Sequence, residues 1–266
     1  MSNLTVIGGG KMGEALVGGL IDAEWTPAGH ISVVEPVAER REELAKRYEG
    51  LVVLADLENV EPAAEVLLAV KPDLCEVVCR SIASNAPARV LSIAAGVTSQ
   101  SLGSWLGPGT RVVRAMPNTP ALVGAGMAAI AAGTSATTDD LSWASQILAS
   151  VGEVIVVEET AMDAVTGVSG SGPAYVYLFT EALIEAAVAV GLDKGTADTL
   201  ARQTVLGAAR LLTESGTPPN ELRANVTSPG GTTAEGIAVL EHGELRALLR
   251  DAVEAATSRS RELGAG

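Results

Sequence analysis

Aromatic residues are scarce: the 266-residue chain holds three Trp, three Tyr and one Phe. A core without large rings is filled by Ala, Val, Leu and Gly, which suits the close backbone packing of helix-covered parallel sheets. Cysteine is limited to Cys75 and Cys79, too few for a disulfide framework. Their i, i+4 spacing puts both on one helix face. With only two histidines, His30 and His242, no set of metal ligands is complete, and no metal is expected. Positive charge is also short. Eighteen Lys and Arg stand against 32 Asp and Glu, a formal charge of −14, which argues against a general affinity for nucleic acid or an anionic membrane. The longest uncharged stretch, residues 115–138, is interrupted by Pro117, Pro120 and three glycines, so it does not read as a membrane span. No secretory signal precedes the first strand, and a soluble, cytoplasmic protein is expected. What the chain does have is 47% hydrophobic residues against 19% charged, which excludes a disordered chain.

Short β-branched or apolar runs at residues 4–7, 31–34, 51–54, 65–70, 89–93, 111–115, 127–131 and 154–157 read as strands. Helical patterns at 11–23, 37–48, 73–84 and 139–151 lie between them. Strands alternating with helices predict right-handed βαβ units and a mainly parallel sheet. After Thr160 the pattern changes. Residues 173–190, 196–214, 233–241 and 245–262 are long Ala/Leu-rich segments punctuated by Gly191, Gly216 and Pro218-Pro219, and no period-2 run is found. The expected division is therefore 1–160 and 161–266, α/β followed by all-α. Residues 182–190 are apolar nearly all round. Such a helix has to be covered, and about 105 residues offer limited core to cover it. A second subunit is the natural cover, so a homodimer through the C-terminal helices is expected, with a larger assembly open.

Gly8-Gly9-Gly10-Lys11-Met12-Gly13 satisfies G-x-G-x-x-G, follows a strand and opens a helix. Gly8 permits the tight turn, Gly10 lets a pyrophosphate approach the backbone, and Gly13 allows close helix–strand contact. The helix N-terminus adds N–H donors for the phosphates. This predicts a Rossmann-type, doubly wound dinucleotide-binding domain at 1–160. Glu35 ends the second strand 22 residues after Gly13, where an acidic side chain accepts from the ribose hydroxyls of NAD. Arg40 and Arg41 follow and could reach back toward a 2′-phosphate, but they read rather as solvated helix residues, so NADH is favoured over NADPH while both stay open.

Six motifs then occur in order: Gly8 to Gly13, Ala69-Val70-Lys71-Pro72, Ser92-Ile93-Ala94-Ala95-Gly96, Met116-Pro117-Asn118-Thr119-Pro120, Ser169-Gly170-Ser171-Gly172-Pro173-Ala174-Tyr175, and Val226-Thr227-Ser228-Pro229-Gly230-Gly231-Thr232-Thr233. Together they resemble pyrroline-5-carboxylate reductase over residues 4–263. The resemblance implies a Rossmann domain and a C-terminal helical dimerisation and substrate-binding domain, with dimers that assemble into a larger ring in some members. It also implies an active site between the cofactor domain of one subunit and the helical domain of a neighbour, and for this chain a larger ring of dimers stays open beyond the homodimer. The reaction would be hydride transfer from NADPH or NADH to the cyclic imine 1-pyrroline-5-carboxylate, giving L-proline. Cofactor contacts would fall on Gly8, Gly9, Gly10, Lys11, Met12, Gly13, Glu35, Asp56, Val70, Lys71, Ile93, Ala95 and Asn118. Substrate contacts would fall on Ser228, Gly231, Thr232 and Thr233. Where NADPH-using members tend to place a small hydroxyl residue and an amide near the adenosine ribose, this chain has Glu35 and Asp56.

The residue types suit that chemistry. A glycine-rich turn at a helix start offers backbone N–H groups to a carboxylate without an arginine, although Ser228 or Thr232 could equally cap their own helix. A cyclic imine can take its proton from solvent, so a strong protein acid is optional. Thr233 is the expected catalytic residue, hydrogen-bonding the ring nitrogen and orienting the ring. Lys71 either contacts the cofactor or is a surface lysine placed by Pro72. Asn118 either binds the nicotinamide carboxamide or builds a turn, and Tyr175 either lines the site or packs. Two rivals remain: a reductase of the same plan acting on another imine or a β-hydroxy acid, and a non-catalytic nucleotide sensor. The hydroxy-acid rival needs a mid-helix lysine, and Lys194, the only lysine after Lys71, lies between Gly191 and Gly195.

Overall fold

The computed structural model describes residues 4–62 and 64–264. They form two compact units, one running to Ser171 and resuming at Glu254, the other spanning Gly172–Val253. The change of composition at Thr160 thus precedes the contact boundary, and the end of the chain returns to the first unit.

The first unit is built on one eight-stranded sheet. Its strands are β1 (Leu4–Ile7), β2 (Ile31–Val34), β3 (Val52–Leu54), β4 (Glu65–Leu68), β5 (Arg89–Ser92), β6 (Val112–Met116), β7 (Gly126–Ala132) and β8 (Gly152–Val156). Their order is β3-β2-β1-β4-β5-β6-β7-β8. The first six run parallel, while β7 is antiparallel to β6 and carries β8 parallel to itself. All four residues of β1 and of β4 are buried, as strands covered on both faces must be. Alternate side chains serve opposite faces. Leu4, Val6 and Leu67 pack with Leu16, Leu20, Trp143 and Ile147, whereas Ile7, Val66 and Leu68 pack with Cys75, Cys79, Ile82 and Leu102.

The helices supply those partners. On the first face lie α1 (Lys11–Asp22), α2 (Ala38–Arg47) and α5 (Thr138–Ala149), and on the second α3 (Cys75–Ile82) and α4 (Ser99–Leu106). The charged α2 contributes a single buried residue, Leu44. Thr137 and Asp140 form a capping box on α5, each side chain accepting from the other's backbone N–H. Asp140 is fully buried and pairs with Arg111 at 3.1 Å and Arg89 at 3.6 Å. Glu65 pairs with Arg89 and accepts from the Trp143 indole at 3.1 Å. This ion cluster occupies the amino ends of β4, β5 and β6. The opposite, carboxyl edge is left for a ligand.

A buried cation, Arg114, faces Glu159 at 3.4 Å and Asp163 at 3.8 Å. Ser99 donates to Glu159 through its backbone N–H (2.7 Å) and its hydroxyl. Ser260 donates to Asp163 at 2.7 Å, fixing the end of the chain on the first unit. A short helix, α6 (Met162–Val165), runs into a π-helical turn at Thr166–Gly170.

The second unit is all helical: α7 (Gly172–Ala189), α8 (Lys194–Glu214), α9 (Pro219–Asn225), α10 (Thr232–His242) and the first half of α11 (Leu245–Gly264). The expected α/β then all-α class is what the structure has. Asp193 caps α8, accepting from the Thr196 amide at 3.1 Å and from its hydroxyl at 2.6 Å. Those two bonds hold its carboxyl below the ordinary value. Three helices, α4, α6 and α9, lie where the sequence pattern assigns none.

Candidate active site

The strand order reverses between β1 and β4, and a ligand crevice is expected outside the carboxyl ends of the strands there. Gly8, with φ +110°, makes the turn after β1, and a Cβ on it would stand 2.6 Å from the Ala69 carbonyl oxygen beyond β4. A Cβ on Gly13 would stand 2.1 Å from the Gly8 carbonyl oxygen, so α1 rests directly on the turn. Gly10 differs: nothing lies within 4 Å of its would-be Cβ. It is the N-cap of α1 and brings no side-chain cap. An open backbone surface at an uncapped helix N-terminus, held by two glycines that no larger residue could replace, fits a pyrophosphate.

Glu35 is buried just past the end of β2 and closes the turn from the side. Its carboxylate accepts from the Gly9 N–H at 3.0 Å and from the Val37 N–H at 3.0 Å. Arg40 donates to the Gly9 carbonyl at 2.8 Å and pairs with Glu14 and Glu43. These partners raise its pKa further, chiefly through the hydrogen bonds to Glu43 and Glu14. Arg47 pairs with Glu14 as well, at 2.9 Å. Arg41 lies over the chain beyond β2, donating to the carbonyls of Glu35 (3.0 Å) and Pro36 (2.8 Å). Sequence reasoning found Glu35 by its place after β2 but missed the Arg40–Glu14 tie, whose members lie 26 positions apart.

The remaining candidates in the first unit gather on the same edge. Asp56 is exposed just beyond β3, where its carboxylate accepts from the Glu58 N–H at 3.0 Å and the Asn59 amide at 3.2 Å. Val70 and Lys71 follow β4, and Ile93 and Ala95 follow β5. Lys71 is exposed, and its carbonyl accepts from the Leu74 N–H at 3.0 Å. Asn118 follows β6 but commits its side chain to the protein. Its Oδ1 accepts from the Met127 N–H at 2.8 Å, while Nδ2 faces the Ser169 carbonyl at 3.2 Å and hydroxyl at 3.3 Å. It joins the start of β7 to the π-helical turn, and the turn-building alternative describes it better than a free carboxamide ligand. Gly170 of that turn has Met116 Cε, the far end of a flexible side chain, 2.6 Å from its would-be Cβ, so a larger residue there would make Met116 shift. Tyr175 is half-buried on the first turn of α7.

The substrate candidates lie in the second unit. Gly230 has φ +68°, and Gly231, the N-cap of α10, makes no side-chain cap. The Ser228 hydroxyl folds over Gly231, 2.6 Å from its would-be Cβ, so a larger residue would displace it. Thr232 and Thr233 open α10, and Ser228, Thr232 and Thr233 are all exposed. The capping alternative therefore fails, because neither Ser228 nor Thr232 satisfies the helix's own amides. Those amides and hydroxyls form an outward-facing set of donors suited to an anion.

Two other polar candidates of the second unit are exposed. Lys194 is exposed on the first residue of α8, the place of a helix start and not of a mid-helix acid. His242 is exposed, with Nδ1 2.6 Å from the Ala238 carbonyl. Among the described residues no cluster of three or more His, Cys, Asp or Glu could hold a metal, and no helix is long and apolar enough to cross a membrane.

Both units match known proteins. Residues 159–263 match a family model described as pyrroline-5-carboxylate reductase dimerisation, and residues 3–96 match one described as NADP oxidoreductase, coenzyme F420-dependent. The pyrroline-5-carboxylate reductase of Synechocystis sp. is 47% identical over 263 residues, 98% of each chain. That of Pisum sativum is 41% identical, covering 98% of this chain and 95% of the relative. Among solved structures, a pyrroline-5-carboxylate reductase from Coxiella burnetii superimposes with a TM-score of 0.92 at 41% identity, covering 98% of both chains. The Plasmodium falciparum pyrroline carboxylate reductase with NADP bound gives 0.87 at 32% identity, covering 99% of this chain and 98% of the other. Identity at this level over 98% of the chain means that it belongs to the pyrroline-5-carboxylate reductase family.

Proposed function

We propose that the chain reduces 1-pyrroline-5-carboxylate to L-proline with hydride from NADH or NADPH, the last step of proline biosynthesis. The observation that carries the reading is the uncapped, glycine-lined start of α10, which presents exposed hydroxyls and amides to a small carboxylate. A nucleotide sensor has no use for such a surface. Reduced nicotinamide supplies the hydride when bound. The chain's part is to hold the reactants.

The Gly8–Gly13 turn and the N-terminus of α1 bind the pyrophosphate, with Lys11 and Met12 contributing from the first turn. Glu35 and Asp56 flank the adenosine end, and Val70, Lys71, Ile93, Ala95 and Asn118 line the rest of the carboxyl edge. Ser228, Gly231, Thr232 and the amides beside them hold the substrate carboxylate. Thr233 donates its hydroxyl to the ring nitrogen as that nitrogen gains electron density, and its position fixes which ring face meets the hydride. The proton on the imine nitrogen comes from solvent. No protein acid is required, and catalysis is mostly positioning.

The proposed assembly is a homodimer through the C-terminal helices, with a larger ring of dimers as a further possibility for mass measurement. The proposed setting is the cytoplasm, consistent with two unbridged cysteines. The test follows absorbance of NADH and of NADPH with 1-pyrroline-5-carboxylate. Turnover with either supports the reading, and none with both removes it. Thr233→Ala is expected to lower kcat by about 100-fold, the usual scale for one positioned proton-handling or donor group. Full turnover by Thr233→Ala at saturating substrate would show that Thr233 has no catalytic part.

A further inference from the structure

Glu35 does more than stand at the end of β2. Its two carboxylate oxygens accept from the Gly9 and Val37 amides, both at 3.0 Å, so the side chain is fixed beside the glycine turn. A carboxylate oxygen has more than one acceptor direction, and those not used by the backbone remain for hydroxyl donors. Arg40 and Arg41, the cations of the segment that follows, already have partners other than its carboxylate. Arg40 gives Nε to the Gly9 carbonyl and its two terminal nitrogens to Glu14 and Glu43. Arg41 rests one terminal nitrogen on the carbonyls of Glu35 and Pro36. Asp56, exposed after the neighbouring strand, adds a second negative charge to this end of the crevice.

We propose that Glu35 makes this site selective for NADH. Held by the turn it latches, its carboxylate accepts the adenosine ribose hydroxyls and repels a 2′-phosphate. The inference rests on reading the Gly8–Gly13 turn as the dinucleotide site, and it deepens that reading. Like charges brought together at a binding site are costly, so NADH is expected to bind about tenfold to 100-fold more tightly than NADPH.

Calorimetric titration of the protein with NADH and with NADPH, without the imine, tests this apart from turnover. Glu35→Ser removes the charge and makes room, and it is expected to bring the two Kd values within about threefold or reverse their order. Glu35→Gln keeps the shape and one acceptor oxygen, and it should narrow the preference while retaining a thermal midpoint close to the parent's. Arg41→Gln controls for the rival cation and should leave the preference unchanged. Equal binding, tighter NADPH binding, or a preference that survives both Glu35 variants overturns the proposal. So does an NADPH affinity that falls selectively in Arg41→Gln. Binding of neither nucleotide removes both the proposal and the dinucleotide reading. NADH binding with the expected preference but no turnover of 1-pyrroline-5-carboxylate supports the role of Glu35 and sinks only the assigned reaction.

Discussion

Two glycines of one turn illustrate how the same residue answers different demands. Gly13 is required by the protein itself, since its Cβ would press on the Gly8 carbonyl at 2.1 Å. Gly10 has open space around its would-be Cβ and an ordinary φ of −67°, so nothing in the fold demands a glycine there. The demand comes from the ligand. Gly13→Ala is therefore expected to lose about 1–3 kcal/mol of stability, the scale of overpacking, and to show it as a Tm lower by several degrees. Gly10→Ala should keep its Tm yet bind NADH on the order of tenfold more weakly. Thermal unfolding and nucleotide titration of both variants check the pair, and a Tm loss in Gly10→Ala would refute the distinction. The spacing of the glycines made the turn legible in the sequence, but the two reasons were not, because they depend on what each Cβ would touch. Asn118 was legible only as a polar residue at a strand end, and its bonds to Met127 and Ser169 needed the coordinates.

At the scale of elements, strands were legible because short apolar or β-branched runs bounded by Gly or Pro have few other ways to fold. The missed helices lacked that contrast. The sequence of α4 is Ser-Gln-Ser-Leu-Gly-Ser-Trp-Leu, started by a Thr98 side chain that accepts from the Ser101 amide, with only Leu102 and Leu106 as large buried residues. The seven residues of α9 bury none. The π-helical turn at Thr166–Gly170 has no sequence period to read. In α3, by contrast, the i, i+4 pair Cys75 and Cys79 faces the sheet core and both are buried. Burial pushes the Cys75 thiol up to about 11 and the Cys79 thiol up to about 12. The sign follows from desolvation: the folded state prefers the protonated thiols, while an unfolded thiol ionises near about 8.5. The folded state therefore keeps its full stability below about pH 8.5 and loses it as pH rises toward those folded values. Urea midpoints measured at pH 8 and pH 10.5 should fall further for the parent than for Cys75→Ala/Cys79→Ala. Identical pH dependence in the two proteins would mean the thiols are not held in a desolvated site. At pH 8 a disulfide-exchange reagent should label neither cysteine until the protein is unfolded.

For the whole molecule, the two units differ in how their apolar surface is covered. The first has buried clusters on both faces of its sheet, which made its α/β character readable from pattern alone. The second buries little within one chain. No residue of α7 is buried, and Tyr177, Leu178, Phe179 and Val190 are 56%, 66%, 50% and 83% exposed. On α8, Leu200, Leu206 and Leu211 are exposed too. A helix apolar on most of its surface is stable in water only when something covers it, and a contiguous patch of this kind marks an interaction site. The match of residues 159–263 to a family model described as pyrroline-5-carboxylate reductase dimerisation supports a homo-oligomer, and a second copy is the proposed cover. The return of the chain to the first unit, fixed by Ser260 on Asp163, was illegible because its partners lie 97 positions apart. The oligomer gives the decisive whole-molecule prediction. In a two-fold interface each substitution is present in both partners, so Leu178→Asp would bury two carboxylates at a cost of several kcal/mol each. Light scattering should then report a monomer where the parent is oligomeric. The first unit keeps its own core, so NADH should still bind with an affinity close to the parent's. Turnover of 1-pyrroline-5-carboxylate should be lost, because α10 belongs to the unit that has lost its cover. An oligomer of parental mass with full turnover would show that the face of α7 carrying Leu178 is not the one a second copy covers.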